Sequence, residues 1–266
     1  MEIGEVRVAE DTDFLKLKSL CEDTEGWKQE YNKQNVSVWT KNNDVSSFKM
    51  VKVRAVFTDF NFDVLYDVLH DSDYRKQWDH VMLEGYEICS INPNNDIGYY
   101  AMKCPSPLKN RDFITQRSWL HLGSEFYIFN HSVIHSKYPP KKGFIRGTSY
   151  LTGYFVRKLS ENSCQFTYVS QSDPKGHLPS WVVNKATKIL APKVIGRIHK
   201  ACINYPRWKS ANNPGFKPWL FPEQVVLPRL DMNQIGPASE FASTDSIDES
   251  NIKETEINED DVTDML

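Results

Sequence analysis

The sequence predicts an α+β fold in which an antiparallel sheet carries a long C-terminal helix. Strand-like segments follow one another from Tyr86 to Ser170 and are joined by short polar turns, which implies antiparallel neighbours rather than βαβ units. Helical patterns sit before and after this run instead of alternating with it. Leu178–Tyr205 is the longest segment with helical periodicity. Its Val183, Ala186, Leu190, Val194, Ile198, Ala201 and Tyr205 recur every three or four residues and share one face.

In chain order, Asp13–Glu22 reads as a short amphipathic helix with Asp11 or Thr12 as its N-cap. Strands follow at Trp27–Tyr31, Val36–Thr40 and Phe48–Phe57, the last alternating Val51, Val53, Ala55 and Phe57 with Lys52, Arg54 and Val56. Phe62–His70 is helical, with Phe62, Leu65, Tyr66 and Leu69 on one side, and a second short helix covers Asp73–Asp79. Tyr86–Ile91 and Ile97–Lys103 flank the turn cluster NPNND. Strands at Phe113–His121, Glu125–His135, Phe144–Leu159 and Cys164–Ser170 complete the run, with loops at Ser136–Gly143 and Ser172–Gly176. In the long helix Pro179 suits the first turn, whereas Pro192 is expected to kink it. Lys185, Lys188, Lys193, Arg197 and Lys200 edge its apolar face; most helices of this kind are simply core elements.

This divides the chain into an extension (1–12), a folded domain (13–205), an arm (206–230) and a tail (231–266). The arm carries Trp208, Phe216, Trp219 and Phe221 and is expected to pack back on the domain. The tail holds eleven acids and one lysine and is read as disordered. Against a net charge of −3, it leaves the remainder near +7. A body so mildly basic fits anionic partners, yet lacks the charge density of a dedicated nucleic-acid binder.

No apolar run reaches the ~20 residues of a membrane span, and the N-terminus has no signal pattern. Five scattered cysteines without C-x-x-C imply reduced thiols in the cytosol and no zinc site. His131 and His135 fall on a strand pattern, where their spacing separates them by about 13 Å, so they read as unrelated. Nucleophile-elbow, phosphate-loop, dinucleotide and zinc-protease motifs are missing, so catalysis has no positive support and no cofactor is expected.

Two stretches carry more. In DSDYRKQWD, Arg75 and Asp79 are i,i+4 neighbours on a helix. They form either a surface ion pair worth ~0.3–0.5 kcal/mol or a carboxylate-braced guanidinium that meets an anion such as phosphate. In CPSPLKNRD, two prolines stiffen a loop that feeds a strand. Together with the downstream D-P-K-G-x-L-P-x-W-V-V-N-K, these motifs closely resemble the START (steroidogenic-acute-regulatory-protein-related lipid transfer) domain family, in its phosphatidylcholine-transfer branch, from about Asp13 to Glu223.

The resemblance implies a helix-grip fold: a curved antiparallel sheet wrapped around the C-terminal helix, enclosing a lipid tunnel. It implies that Arg75 contacts a lipid phosphate and Asp79 supports it, and that Tyr100, Phe113 and Tyr150 cage a choline ammonium. Three aromatic faces around a desolvated cation give ~2 kcal/mol or more. Tyr100 and Phe113 stand where that branch carries Trp and Tyr, a weaker cage lacking one hydroxyl, which keeps phosphatidylethanolamine beside phosphatidylcholine as the ligand. Each aromatic also has an ordinary strand-core reading.

The expected function is therefore that of a monomeric, cytoplasmic phospholipid carrier and not an enzyme. It would touch membrane surfaces peripherally through a lid helix that includes Trp181, Lys185, Lys188, Leu190, Pro192, Lys193, Val194 and Arg197. The alternatives are a lipid sensor or scaffold that presents its ligand to a protein, and a hydrolase of the wider helix-grip superfamily. Ser246, followed by Ile247, Asp248 and Glu249, fits an acidophilic kinase pattern. Phosphate there adds about 1.5–2 negative charges and is expected to weaken docking; an unregulated solubilising tail is the competing reading.

Overall fold

The computed structural model describes residues 1–33, 35–46, 48–179, 181–182, 191–243 and 247–256. Helix α1 (Asp11–Glu22) leads into strands β1 (Lys28–Lys33), β2 (Val36–Lys41) and β3 (Met50–Phe57). Helices α2 (Phe62–His70) and α3 (Ser72–Trp78) follow. Then come β4 (Met82–Asn92), β5 (Asn95–Met102), β6 (Asn110–His121), β7 (Glu125–Ser132), β8 (Phe144–Arg146), β9 (Thr148–Ser160) and β10 (Ser163–Asp173), and finally helix α4 (Ala191–Ala211). The strands form one sheet in the order β1-β2-β3-β10-β9-β7-β6-β5-β4, with β8 lying parallel to β6. Apart from β8 the pairs are antiparallel, including β3 with β10, which joins the first hairpin to the last strand.

Alternation in the strands sorts side chains to two faces. On one face Val38, Val53, Ala55, Phe57, Phe126, Ile128, Val156 and Phe166 meet Leu65 and Leu69 of α2 and Ile195, Ile198, Ala201 and Tyr205 of α4. The stripe predicted for the long helix is thus seen in its described half, where Ile198, Ala201 and Tyr205 are buried. Truncating Ile198, which is 1% exposed, to Ala is expected to cost about 2–5 kcal/mol, measurable by chemical denaturation. The opposite face packs Phe129, Phe155 and Val169 against Phe14, Leu17 and Cys21 of α1. A third cluster on β4–β6 includes Ile97, Tyr99 and Ile114, and Leu230 and Ile235 pack against it.

The structure corrects several boundaries. The cap of α1 is Glu10, not Asp11 or Thr12, and the Asp13 carboxylate accepts from the Glu10 backbone N–H. The single strand expected over Phe144–Leu159 breaks at Gly147, where the chain passes from parallel pairing with β6 (β8) to antiparallel pairing with β7 and β10 (β9); Phe113 packs there, and a Cβ on Gly147 would lie 2.4 Å from its Cε1. Helix α4 does not stop at Tyr205 but runs through Pro206 to Ala211. The bond lost at Pro206 is offset in the next turn, where Trp208 packs on Tyr74 with ring centroids 4.8 Å apart and Lys209 Nζ reaches Asp71 at 2.9 Å. Pro192 lies at the second residue of α4; the expected kink also involves residues 183–190, which are outside the described residues. Beyond Asp231 the described residues make the following contacts. Gln234 accepts from the Ser136 N–H, Ile235 bridges His135, and Glu249 is buried.

The arm is held by Asp67, which accepts from Lys217 Nζ at 2.6 Å and Trp219 Nε1 at 2.8 Å. His70, 3% exposed, is enclosed by Tyr66, Trp119 and Trp219, and burial holds its pKa well below the ordinary 6.5. Burial also lowers the pKa of His131 and His135. Each imidazole therefore takes its proton at a lower pH in the native state than in the unfolded chain, so the unfolded state binds more protons in that window. Stability is therefore expected to fall on acidification below about pH 6.5, by up to ~1.4 kcal/mol per pH unit for each histidine. Denaturation midpoints from pH 7 to 5 check this, with His70→Gln flattening the slope.

Candidate functional site

The face of the sheet that packs against α2 and α4 carries a buried polar group beside α3. Asp71 caps α3, accepting from the Tyr74 N–H at 3.0 Å, and starts the turn that sets Arg75 and Asp79 on one side. Arg75 Nε donates to Asp79 Oδ2 at 2.9 Å, and the Tyr100 hydroxyl donates to the same oxygen at 3.2 Å. The guanidinium lies 5.2 Å from the Trp78 ring centroid and 5.6 Å from that of Tyr100. Among the described residues, neither terminal nitrogen of Arg75 has a hydrogen-bond partner.

Arg75 keeps 27% of its side-chain surface accessible, yet burial is the largest influence on its charge. Burial works against the charge, but the Asp79 carboxylate, with Tyr154 and Tyr100 nearby, outweighs it and raises the pKa above the ordinary arginine value. The Tyr100 phenol is pushed far up by burial and by Asp79, and the Tyr168 phenol to about 12 by burial and Tyr154. The site is thus one persistent cation, one carboxylate and a rim of neutral phenols.

The other expected members fall out unequally. Tyr100 and Phe113 are directly paired residues of β5 and β6, so their side chains share a face. Phe113 rests on Gly147, and Gly147→Ala is expected to destabilise by about 1–3 kcal/mol. That loss should shrink when Phe113 is shortened to Leu, as thermal melts of the single and double variants would show. Tyr150 is half-buried at a register shift in β9, where Leu151 pairs with Gln171 and Ser149 with Ser172, leaving Tyr150 unpaired. Among the described residues no ring contact or hydrogen bond joins it to Tyr100, Phe113 or Arg75. The structure therefore brings together Arg75, Asp79, Tyr100 and Phe113 but does not close a cage with Tyr150.

Of the residues expected to form a lid, Pro192, Val194 and Arg197 are half-buried and Lys193 is exposed. Lys185, Lys188, Leu190 and Ser246 lie outside the described residues. Trp181 Nε1 donates to the Ile252 carbonyl at 3.0 Å.

Sequence reasoning missed a second charged group on the same face. Arg117 donates to Asp96 through Nε and Nη2 at 3.1 and 2.5 Å, and its guanidinium lies 5.1 Å from the Trp119 ring centroid. The signal was available: Phe113, Thr115, Arg117 and Trp119 alternate along one strand, so a headgroup face at Phe113 includes Arg117. Arg117, Asp96 and Trp119 also line a cavity of about 540 Å³ with His70, Trp208 and Trp219, which Arg75, Asp79 and Tyr100 do not line. Among the described residues there is no cluster of His, Cys, Asp and Glu able to hold a metal ion, and no helix is long and apolar enough to cross a membrane.

Comparison with known proteins matches residues 7–209 to the START domain model. The chain is 45% identical over 251 residues to mouse START domain-containing protein 10, covering 94% of this chain and 86% of that one. It is 31% identical over 186 residues to bovine phosphatidylcholine transfer protein, covering 68% of this chain and 86% of that one. The crystal structure of human STARD10 superposes with a TM-score of 0.82 at 45% identity, covering 87% of this chain and 95% of that one. The chain belongs to the START domain family.

Proposed function

We propose that this protein binds a single phospholipid in the space between the sheet and α4 and carries it between membranes. The observation that carries the reading is Arg75: a desolvated guanidinium, braced by Asp79, whose terminal nitrogens have no partner among the described residues. A phosphodiester supplies what that fork lacks. The names of similar proteins, a START domain-containing protein and a phosphatidylcholine transfer protein, support a phospholipid as the ligand.

Phosphatidylcholine and phosphatidylethanolamine both fit the reading. Tyr100 and Phe113 offer aromatic faces to a choline ammonium, with Tyr150 as the third if its ring turns inward on binding. The carrier role follows from solvent physics, since each acyl CH₂ exposed in water costs about 0.8 kcal/mol and an enclosed space removes that barrier. In this reading α4 and the residues before it form the lid, and exposed Lys193 meets anionic headgroups during a peripheral encounter. The chemistry is binding and release, with no reaction step.

The test is native mass spectrometry of the purified chain with extraction of the bound lipid. One phosphatidylcholine or phosphatidylethanolamine per chain is the expected result. A protein that is empty and also takes up no phospholipid from vesicles would sink the carrier reading.

A further inference from the structure

Glu249 lies in the acidic C-terminal stretch and yet is 5% exposed. Its Oε1 accepts from the Lys109 backbone N–H at 2.8 Å and its Oε2 from Arg111 Nη2 at 2.5 Å. Arg111 is 1% exposed, and its other donors go to the carbonyl oxygens of Lys109, Pro174 and Lys175 and to Cys104 Sγ. Among the described residues Glu249 is the one carboxylate that pairs with this guanidinium. Gly176 lies against Glu249, since a Cβ built on it would be 3.3 Å from Oε2, and the Ile252 carbonyl accepts from Trp181 Nε1. A short stretch of the tail thus ties together the β5–β6 loop, the loop after β10 and the residues that lead towards α4.

The place of this contact matters. Met102 pairs with Arg111 and Tyr100 with Phe113, so Arg111 stands on the candidate-site face of β6, one alternation nearer the strand's start. It therefore stands at the edge of that face, where β6 begins, and this edge is termed the rim. Next to it Ser106, Pro107, Lys109 and His177 are exposed.

A buried guanidinium and a backbone N–H aimed at one point require an anion, because removing one partner of a buried charge pair leaves the other uncompensated. Here the anion comes from a residue 138 positions away in the sequence, on a segment with few buried side chains. Any group that brings two negative oxygens to the rim can take its place, and a phosphate suits the guanidinium fork plus the N–H.

We propose that Arg111 and the Lys109 N–H form an anion seat at the rim. Glu249 fills it in solution, and the headgroup phosphate of an anionic membrane phospholipid takes it on docking. The exchange releases the tail from Trp181 and frees the start of the lid. The membrane is the source because the seat sits beside exposed Lys109 and half-buried Lys175, next to the residues that lead towards α4. This inference rests on the carrier reading only in requiring an encounter with a membrane.

The experiment uses the full chain, wild type and Glu249→Gln, with vesicles of pure phosphatidylcholine and of phosphatidylcholine doped with phosphatidylserine. Glu249→Gln is expected to bind the phosphatidylserine vesicles about fivefold or more tightly than wild type, with no gain on neutral vesicles. In the wild type, hydrogen exchange in 247–256 should rise on adding phosphatidylserine vesicles and stay unchanged with inorganic phosphate. An equal gain on both vesicles would mean that the tail merely covers the lid, and would overturn the seat. No gain on either, exchange untouched by phosphatidylserine, or inorganic phosphate acting as well as vesicles would overturn it too. If the variant does not fold, the wild-type exchange data decide alone. Lipid uptake from neutral vesicles reports separately on the carrier reading.

Discussion

Arg75→Ala is expected to lower phospholipid affinity by about a hundredfold or more and to abolish transfer between vesicles. A hydrogen bond to a charged group contributes about 1.5–3 kcal/mol, so losing the terminal donors that this reading assigns to a phosphate removes two such bonds. At about 1.4 kcal/mol per tenfold change, the loss reaches two orders of magnitude. Arg75→Lys keeps the charge but not the planar fork and should fall between. Because Arg75 also neutralises Asp79, which is 9% exposed at its side chain, the single variant will be less stable as well as less active. The double variant Arg75→Ala with Asp79→Asn separates the two effects. It should recover the melting temperature, since no buried carboxylate is left unpaired, while transfer stays lost. Fluorescent phosphatidylcholine transfer beside thermal melts measures both. Transfer by Arg75→Ala at the wild-type rate would remove phosphate contact from its role.

Much of the fold was legible in the sequence because burial imposes a period. Ile198, Ala201 and Tyr205 announce a helix face, and Val53, Ala55 and Phe57 announce a strand face, before any contact is known. The Arg75–Asp79 pair was legible as an i,i+4 motif, but its burial was not, since helical spacing says nothing about what covers the helix. The break at Gly147 escaped because it follows from a change of partner strands, from β6 to β7 and β10, which alternation along one segment does not show. The continuation of α4 through Pro206 escaped for the same reason: a local penalty at proline is read from the sequence, whereas the Lys209–Asp71 pair that outweighs it spans the fold. Glu249 was the least legible residue. It is one acid among many in a stretch whose composition argues for disorder, and only the position of Arg111 singles it out.

The second large effect is expected at Asp71, which joins the α2–α3 corner to the end of α4. Its Oδ1 accepts from the Tyr74 N–H at 3.0 Å, and its Oδ2 from the Tyr205 hydroxyl at 3.0 Å and Lys209 Nζ at 2.9 Å. Asp71 is 4% exposed and Lys209 7%, so Asp71→Asn strands a buried ammonium between Trp208 and Trp219. Breaking such a pair from one side costs about 3–5 kcal/mol. At roughly 2–4 °C per kcal/mol for a domain of this size, the melting temperature should drop by roughly 6–20 °C. Adding Lys209→Met should restore most of it, because a buried pair exchanged for well-packed apolar groups is often neutral. Tyr205→Phe, which removes one neutral donor, should cost only about 1 kcal/mol. If Asp71→Asn melts within a degree or two of wild type, Lys209 has reached solvent and α4 is not fixed at this end. If the large drop and its rescue are both seen, the C-terminal end of α4 is the anchored one, and any lid motion has its free end near Trp181.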